Sequence, residues 1–151
     1  KETPPYLVLA GGKGWLDSGI YKKAEELGRG DLVKFTEYVP DEMLCPLMCG
    51  ALAFVFPSIY EGFGMPPLEA MACGVPVLTT HAASLPELVG EDAVVTDPYS
   101  PEDIAAGLER LYTDEALRQR LKAAGPKRAA QFTWERSAEQ LYAVYQEACR
   151  E

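Results

Sequence analysis

Five short apolar runs, set apart by turn residues and helical stretches, constrain this chain more than any other feature. "YLVLA" (Tyr6 to Ala10) ends at Gly11 and Gly12, "LVKFTEYV" (Leu32 to Val39) is closed by Pro40, and "LAFVFPS" covers Leu52 to Ser58. "VPVLTT" (Val75 to Thr80) and "AVVTD" (Ala93 to Asp97) complete the set. Runs of this kind, continuous rather than alternating, predict strands buried on both faces, as in a parallel sheet. Helical segments fall between them: Ile20 to Leu27 with Gly28 behind it, and a stretch from Asp41 that Pro46 must bend or shorten. The alternation predicts an α/β fold, a doubly wound parallel sheet covered on both faces.

After Asp97 no strand pattern recurs, and amphipathic helices take over. Ser100-Pro101-Glu102-Asp103 places a cap, a first-turn proline and two acids at a helix start, and Ile104, Leu108 and Leu111 follow at helical spacing. Asp114 to Ala124 reads as a second helix stopped by Gly125-Pro126. Thr133 caps a third, whose Trp134, Ala138, Leu141, Tyr142, Tyr145 and Cys149 share one face; a stripe of that kind predicts a packing surface.

At 151 residues the chain has the length of one domain and can bury an ordinary core. With 48% hydrophobic and 25% charged residues, no bilayer-length apolar run and no signal peptide at its start, it is expected to be a soluble globular domain. A formal charge of −9 without a basic patch disfavours nucleic acid or an anionic membrane as partner of this segment. Cys45, Cys49, Cys73 and Cys149 lack zinc-knuckle spacing and His81 is the only histidine, so no metal is expected. Cys45 and Cys49 stack on successive helical turns, and the thiols read as buried and reduced, in keeping with a cytoplasmic setting.

The stretch "YEGFGMPPLEAMACGVP", Tyr60 to Pro76, directly follows the third strand and leads into a short helix. Ligands of doubly wound sheets bind at that carboxyl edge. Pro66 and Pro67 fit only a helix first turn, which predicts a helix over Pro67 to Cys73 with Gly74 in the left-handed stop position. Glu69 is then expected in the first turn and Glu61 in the preceding loop. Gly62 and Gly64 allow close backbone approach, and unpaired N–H groups at the helix start suit a phosphate. A carboxylate beside such a site serves best by accepting hydrogen bonds from neutral hydroxyls: a ribose diol for Glu69, a sugar for Glu61.

These residues resemble the Glu-x7-Glu signature of retaining, nucleotide-sugar-dependent glycosyltransferases of family 4, enzymes with the GT-B fold of two Rossmann-like domains. The likeness extends to "LVLAGGKG", "VKFTEYVPDEML", "SLPELVG", "VVTDPYSPEDIA" and "FTWERSAEQL", which look like the C-terminal, donor-binding domain. The resemblance implies that Glu69 binds the ribose and Glu61 the transferred sugar, with backbone amides of Phe63, Gly64 and Met65 holding sugar and diphosphate. It implies that Tyr38, Val39, Asp41 and Leu44 cup the nucleobase and that Gly11 and Gly12 line the same cleft; Lys13 either approaches the diphosphate or, the reading favoured, is a solvated lysine. No metal or other cofactor is implied, since helix-terminus amides and basic groups stabilise the leaving diphosphate.

Two departures stand out. Glu37 occupies a position where the family commonly has glycine. Similar proteins also carry, before "YLVLA", a central strand, a loop with an arginine and a lysine that clamp the diphosphate, and an N-terminal acceptor-binding domain. The resemblance therefore implies a fragment of a larger enzyme, its sheet completed by the missing part or by a second chain, and the helix over 133–150 packing on the N-terminal domain. The function implied is transfer of a sugar, with GDP-mannose the best match, to a glycan or lipid-linked glycan. The enzyme would be cytoplasmic, with any peripheral membrane attachment made by that N-terminal domain. The alternatives are a stand-alone nucleotide-sugar-binding module and, further off, a nucleotide-sugar epimerase.

Overall fold

The computed structural model describes residues 4–12 and 18–150, and Lys13 lies outside them. Within these, five strands alternate with helices, seven helices in all, and every strand pair is parallel. The chain divides into two compact units, Lys1–Leu44 and Cys45–Glu151.

In the first unit, β1 (Leu7–Ala10) pairs with β2 (Val33–Glu37), and α1 (Ser18–Glu26) connects them. Tyr21 of α1 stacks on Phe35 of β2 with ring centroids 4.1 Å apart. The expected burial of β1 is not met: Leu7 is 49% and Val8 40% exposed. A two-stranded sheet and one short helix cannot cover both strand faces. The register slips between Leu9 and Ala10, so Ala10 pairs with Glu37 and Thr36 is bulged out. Glu37 has φ 57, a left-handed backbone. The glutamate therefore keeps the turn that glycine adopts without strain, and β2 stops there rather than at Val39. Gly28 (φ 62) closes α1 as the sequence predicts. Helix α2 (Asp41–Cys49) follows and contains Pro46.

The second unit holds a sheet in the order β3 (Phe54–Val55), β4 (Val77–Thr80), β5 (Val94–Thr96). All four residues of β4 are buried, and its side chains alternate between two cores. Val77 joins Met48, Leu68, Met71, Leu88 and Ala129 on one face, while Leu78 joins Val94, Leu111 and Leu121 on the other. Helices α3 (Met65–Ala72) and α4 (Leu85–Val89) supply the first, α5 (Pro101–Thr113) the second, and α6 (Glu115–Ala129) both. This is the doubly wound arrangement. Ser100 and Asp114 cap α5 and α6 by accepting from the N–H of Asp103 and Leu117.

Two helical expectations need correction. Gly125-Pro126 does not stop α6, which runs on to Ala129. A Cβ at Gly125 would lie 3.0 Å from the Met71 carbonyl oxygen, so glycine here permits a close crossing of α3 and α6, and the packing retains the helix. The α7 helix (Trp134–Ala148) is capped by Thr133 as expected, but none of its residues is buried. Its aromatic face finds no cover within this unit, and Trp134 is 80% exposed. Among the described residues no helix is long and apolar enough to cross a membrane.

Glu37→Gly should raise stability by up to about 1 kcal/mol in chemical denaturation. Relief of a left-handed side-chain residue, roughly 1–2 kcal/mol, outweighs the added freedom of the unfolded chain. A loss of stability would show that the Glu37 side chain contributes more than its backbone costs.

Candidate functional site

The loop between β3 and α3 leaves the carboxyl end of β3 and is held from below by hydroxyl groups. Thr79 Oγ1 donates to the Phe56 carbonyl at 3.1 Å and Thr80 Oγ1 to that of Ser58. Ser84, just before α4, lies 3.0 Å from the Phe63 carbonyl and 3.3 Å from that of Glu61. Its hydroxyl thus ties both ends of the glutamate loop to α4. Arg128 of α6 secures α4 in turn: Nε donates to the Leu88 carbonyl at 2.9 Å and the guanidinium also reaches that of Glu87. Its guanidinium lies over Phe132, whose ring meets Phe63 edge-on at 6.0 Å.

Gly64 joins loop to helix. It is buried, has φ 105, and caps α3; a Cβ there would sit 2.7 Å from Leu85 Cδ2 and 3.2 Å from Leu88 Cδ2. Glycine is needed both for the left-handed turn and for the fit against α4. Gly62 faces open space.

The helix begins at Met65, two residues earlier than the sequence predicts, with Pro66 and Pro67 inside it. Glu69 is therefore its fifth residue and sits in the second turn, beyond the strongest influence of the helix dipole. The prolines also change the anion site: they have no N–H, and the Leu68 amide already reaches the Gly64 carbonyl at 3.4 Å. What remains are the amides of Gly62, Phe63, Gly64 and Met65, none with a protein acceptor among the described residues. They belong to the loop and the first helical residue.

The two carboxylates differ in setting. Glu61 is half-buried and its Oε1 accepts from the Ser58 hydroxyl at 2.8 Å, leaving Oε2 without a partner among the described residues. Glu69 is exposed and lines a groove of about 340 Å³ with Leu68, Ala72, Pro126, Ala129, Ala130 and Phe132. Both can accept from a ligand hydroxyl.

In the first unit, Gly11 and Gly12 follow the carboxyl end of β1, and Tyr38 and Val39 that of the parallel β2. The Gly11 amide donates to the Glu37 carbonyl at 3.0 Å, so the two strand ends share one edge. Tyr38 is 73% exposed, while Asp41 (exposed) and Leu44 (half-buried) lie in the first turn of α2.

Sequence reasoning passed over Ser58, Ser84, Arg128 and α4 itself. Ser84-Leu85-Pro86-Glu87, with its cap-type serine, early proline and acid, was the available signal. The cysteines also differ from expectation: Cys45 and Cys49 are exposed and Cys73 half-buried, because the stripe of α2 that carries the first two, one turn apart, faces solvent and Cys73 lies just past the end of α3. Burial, aided by Cys45 and Cys49 beside it, pushes the Cys73 thiol up to about 12, so it stays protonated at neutral pH.

The family described as "Glycosyl transferases group 1" matches residues 1–128. The chain is 41% identical over 139 residues to O-antigen chain mannosyltransferase B of Escherichia coli, covering 92% of this chain and 36% of that protein. It is 40% identical over 121 residues to the serotype-specific mannosyltransferase WbdA of Escherichia coli, covering 79% and 15%. The chain thus spans about a third or less of the length of these relatives. Among solved structures, sucrose-phosphate synthase from Thermosynechococcus elongatus superposes with a TM-score of 0.82 at 30% identity, covering 95% of this chain and 38% of that one. The fold is the Rossmann-like α/β fold of GT-B glycosyltransferases.

Gly64→Ala should cost about 2–5 kcal/mol, the sum of left-handed strain and overpacking against Leu85 and Leu88. Gly62→Ala should cost far less. Comparable losses of thermal stability in both variants would refute the packing role of Gly64.

Proposed function

The chain belongs to the group 1 glycosyl transferases, and from that premise we propose that it is the donor-binding domain of a retaining enzyme of glycosyltransferase family 4. The donor is a nucleoside-diphosphate sugar, GDP-mannose in the reading we favour; the two Escherichia coli relatives are mannosyltransferases by name. The acceptor is a glycan or lipid-linked glycan, bound by an N-terminal domain against which the aromatic face of α7 packs. Cytoplasmic donor pools fit this reading.

One observation carries it: four consecutive residues, Gly62 to Met65, present amides with no acceptor among the described residues, next to a Glu61 carboxylate with one oxygen that has no partner among them. Fixed N–H dipoles of this kind stabilise the charge that builds on a departing diphosphate, without a metal. Glu61 accepts from hydroxyls of the transferred sugar, held in place by Ser58, and Glu69 accepts from the ribose. We also assign Tyr38, Val39, Asp41 and Leu44 to the nucleobase and Gly11 and Gly12 to donor binding. Neither glutamate acts as the acid or base of a glycosidase, because each is committed to hydroxyl binding. The leaving phosphate takes the acceptor proton.

In the full protein, Glu69→Ala should weaken calorimetric binding of free GDP about 10- to 150-fold, the range for lost hydrogen bonds to a charged group. Glu61→Ala should leave GDP affinity unchanged and lower kcat/KM for release of GDP from GDP-mannose by a similar factor. Equal losses of GDP affinity in both variants would sink this division of roles. Tighter binding of UDP than GDP would move the donor to a uridine sugar. Tight binding without transfer to any mannose-terminated acceptor would favour the stand-alone binding module.

A further inference from the structure

Three thiols that are far from zinc-knuckle spacing in sequence meet in space. Cys45 and Cys49 lie one turn apart on α2, with Sγ atoms 3.9 Å from each other. Cys73, the residue that follows α3, places its Sγ 3.6 Å from that of Cys45. All three Sγ atoms lie within 4.8 Å of one another, and no disulfide joins them. Two thiolates on one tetrahedral zinc, with Zn–S of about 2.3 Å, stand about 3.8 Å apart. The two measured separations lie on either side of that value.

Rigidity and ligand chemistry favour the same occupant. Met48, between Cys45 and Cys49 on α2, is buried in the core cluster that contains Leu68, Ala70 and Met71 of α3, and Cys73 packs against it. The thiol spacing is therefore set by core packing rather than by mobile side chains. Cys49 is the last residue of α2 and Cys73 the residue that follows α3. Sulfur selects a thiophilic cation, whose charge offsets the cost of forming thiolates beside two helix C-termini.

We propose that Cys45, Cys49 and Cys73 form a binding site for one thiophilic divalent cation, of which zinc is the commonest, with the fourth coordination position open to solvent. Uptake of one Zn²⁺ by three neutral thiols releases three protons to solvent, and no electron is transferred. The bound ion ties the last turn of α2 to the end of α3, the helix that carries Glu69. Cys149 lies outside the cluster and takes no part.

The test is titration of the reduced full protein with Co²⁺, whose thiolate ligands give a charge-transfer absorption in the near ultraviolet. The expected result is a band that saturates at one Co²⁺ per chain and is displaced by Zn²⁺. It should be lost in Cys73→Ser and unchanged in Cys149→Ser. Zn²⁺ should raise the melting temperature of the parent protein and not that of Cys73→Ser. If Cys73→Ser fails to fold by circular dichroism, Cys45→Ser, at an exposed position, gives the same readout. No band at stoichiometric Co²⁺, a band that survives both Cys73→Ser and Cys45→Ser, or one that disappears in Cys149→Ser overturns the proposal.

Discussion

The contact between Gly64 and the leucines of α4 is the constraint on which the rest of the site depends. With Leu85 and Leu88 where a side chain at position 64 would be, the backbone must turn left-handed there, and α3 can begin only at Met65. That start fixes the direction of four loop amides and the helical phase of Glu69. The support is layered: Ser84 pins the loop carbonyls, Arg128 pins the carbonyls at the end of α4, and Phe132 holds Phe63. A loop with two glycines, Gly62 and Gly64, thereby acquires one conformation. Its stiffness comes from side chains far away in sequence.

A chain with net charge −9 needs a local reason to hold a diphosphate. Side-chain cations do not supply it in this loop, and prolines delete two of the amides a helix start normally offers. The compensation lies in the loop itself, where consecutive N–H groups have no acceptor among the described residues. Fixed dipoles lose no side-chain entropy on binding and need no reorganisation as charge develops. The glutamates are compatible with this only because they accept from neutral hydroxyls; turned towards phosphate, either would oppose the amides.

What could be read in the sequence was whatever local chemistry decides. Ser100, Asp114 and Thr133 cap their helices, and Gly28 and Gly74 take left-handed stops. What could not be read was decided by tertiary neighbours. Gly125-Pro126 carries an ordinary stop signal, yet α6 continues because Met71 of α3 needs a residue without a side chain there. The apolar run of β1 has the composition of a buried strand, but composition does not count the layers available to cover it. Counting the helix from Pro67 puts Glu69 in the first turn instead of the second, because the fit of Gly64 against α4 has no local signature. The thiol cluster was invisible for the same reason: 24 residues separate Cys49 from Cys73, and only the packing of α2 on α3 brings them together.

Helix α3 connects the two sites by simple electrostatics. Its amino end adjoins the loop amides that have no acceptor among the described residues and its carboxyl end adjoins three sulfurs, so the aligned peptide dipoles favour an anion at the first and hold back thiol deprotonation at the second. The helix has eight residues and spans about 12 Å at 1.5 Å per residue. Over that distance charges separated by protein are only partly screened by salt. Uptake of one divalent cation with release of three thiol protons changes the charge at the carboxyl end of α3 by −1, so the ion does not neutralise that pole. The electrostatic effect of an occupied thiol site on a diphosphate at the other end of the helix is therefore a weakening, reduced by the distance between them. The two sites are linked through α3 as competitors in charge.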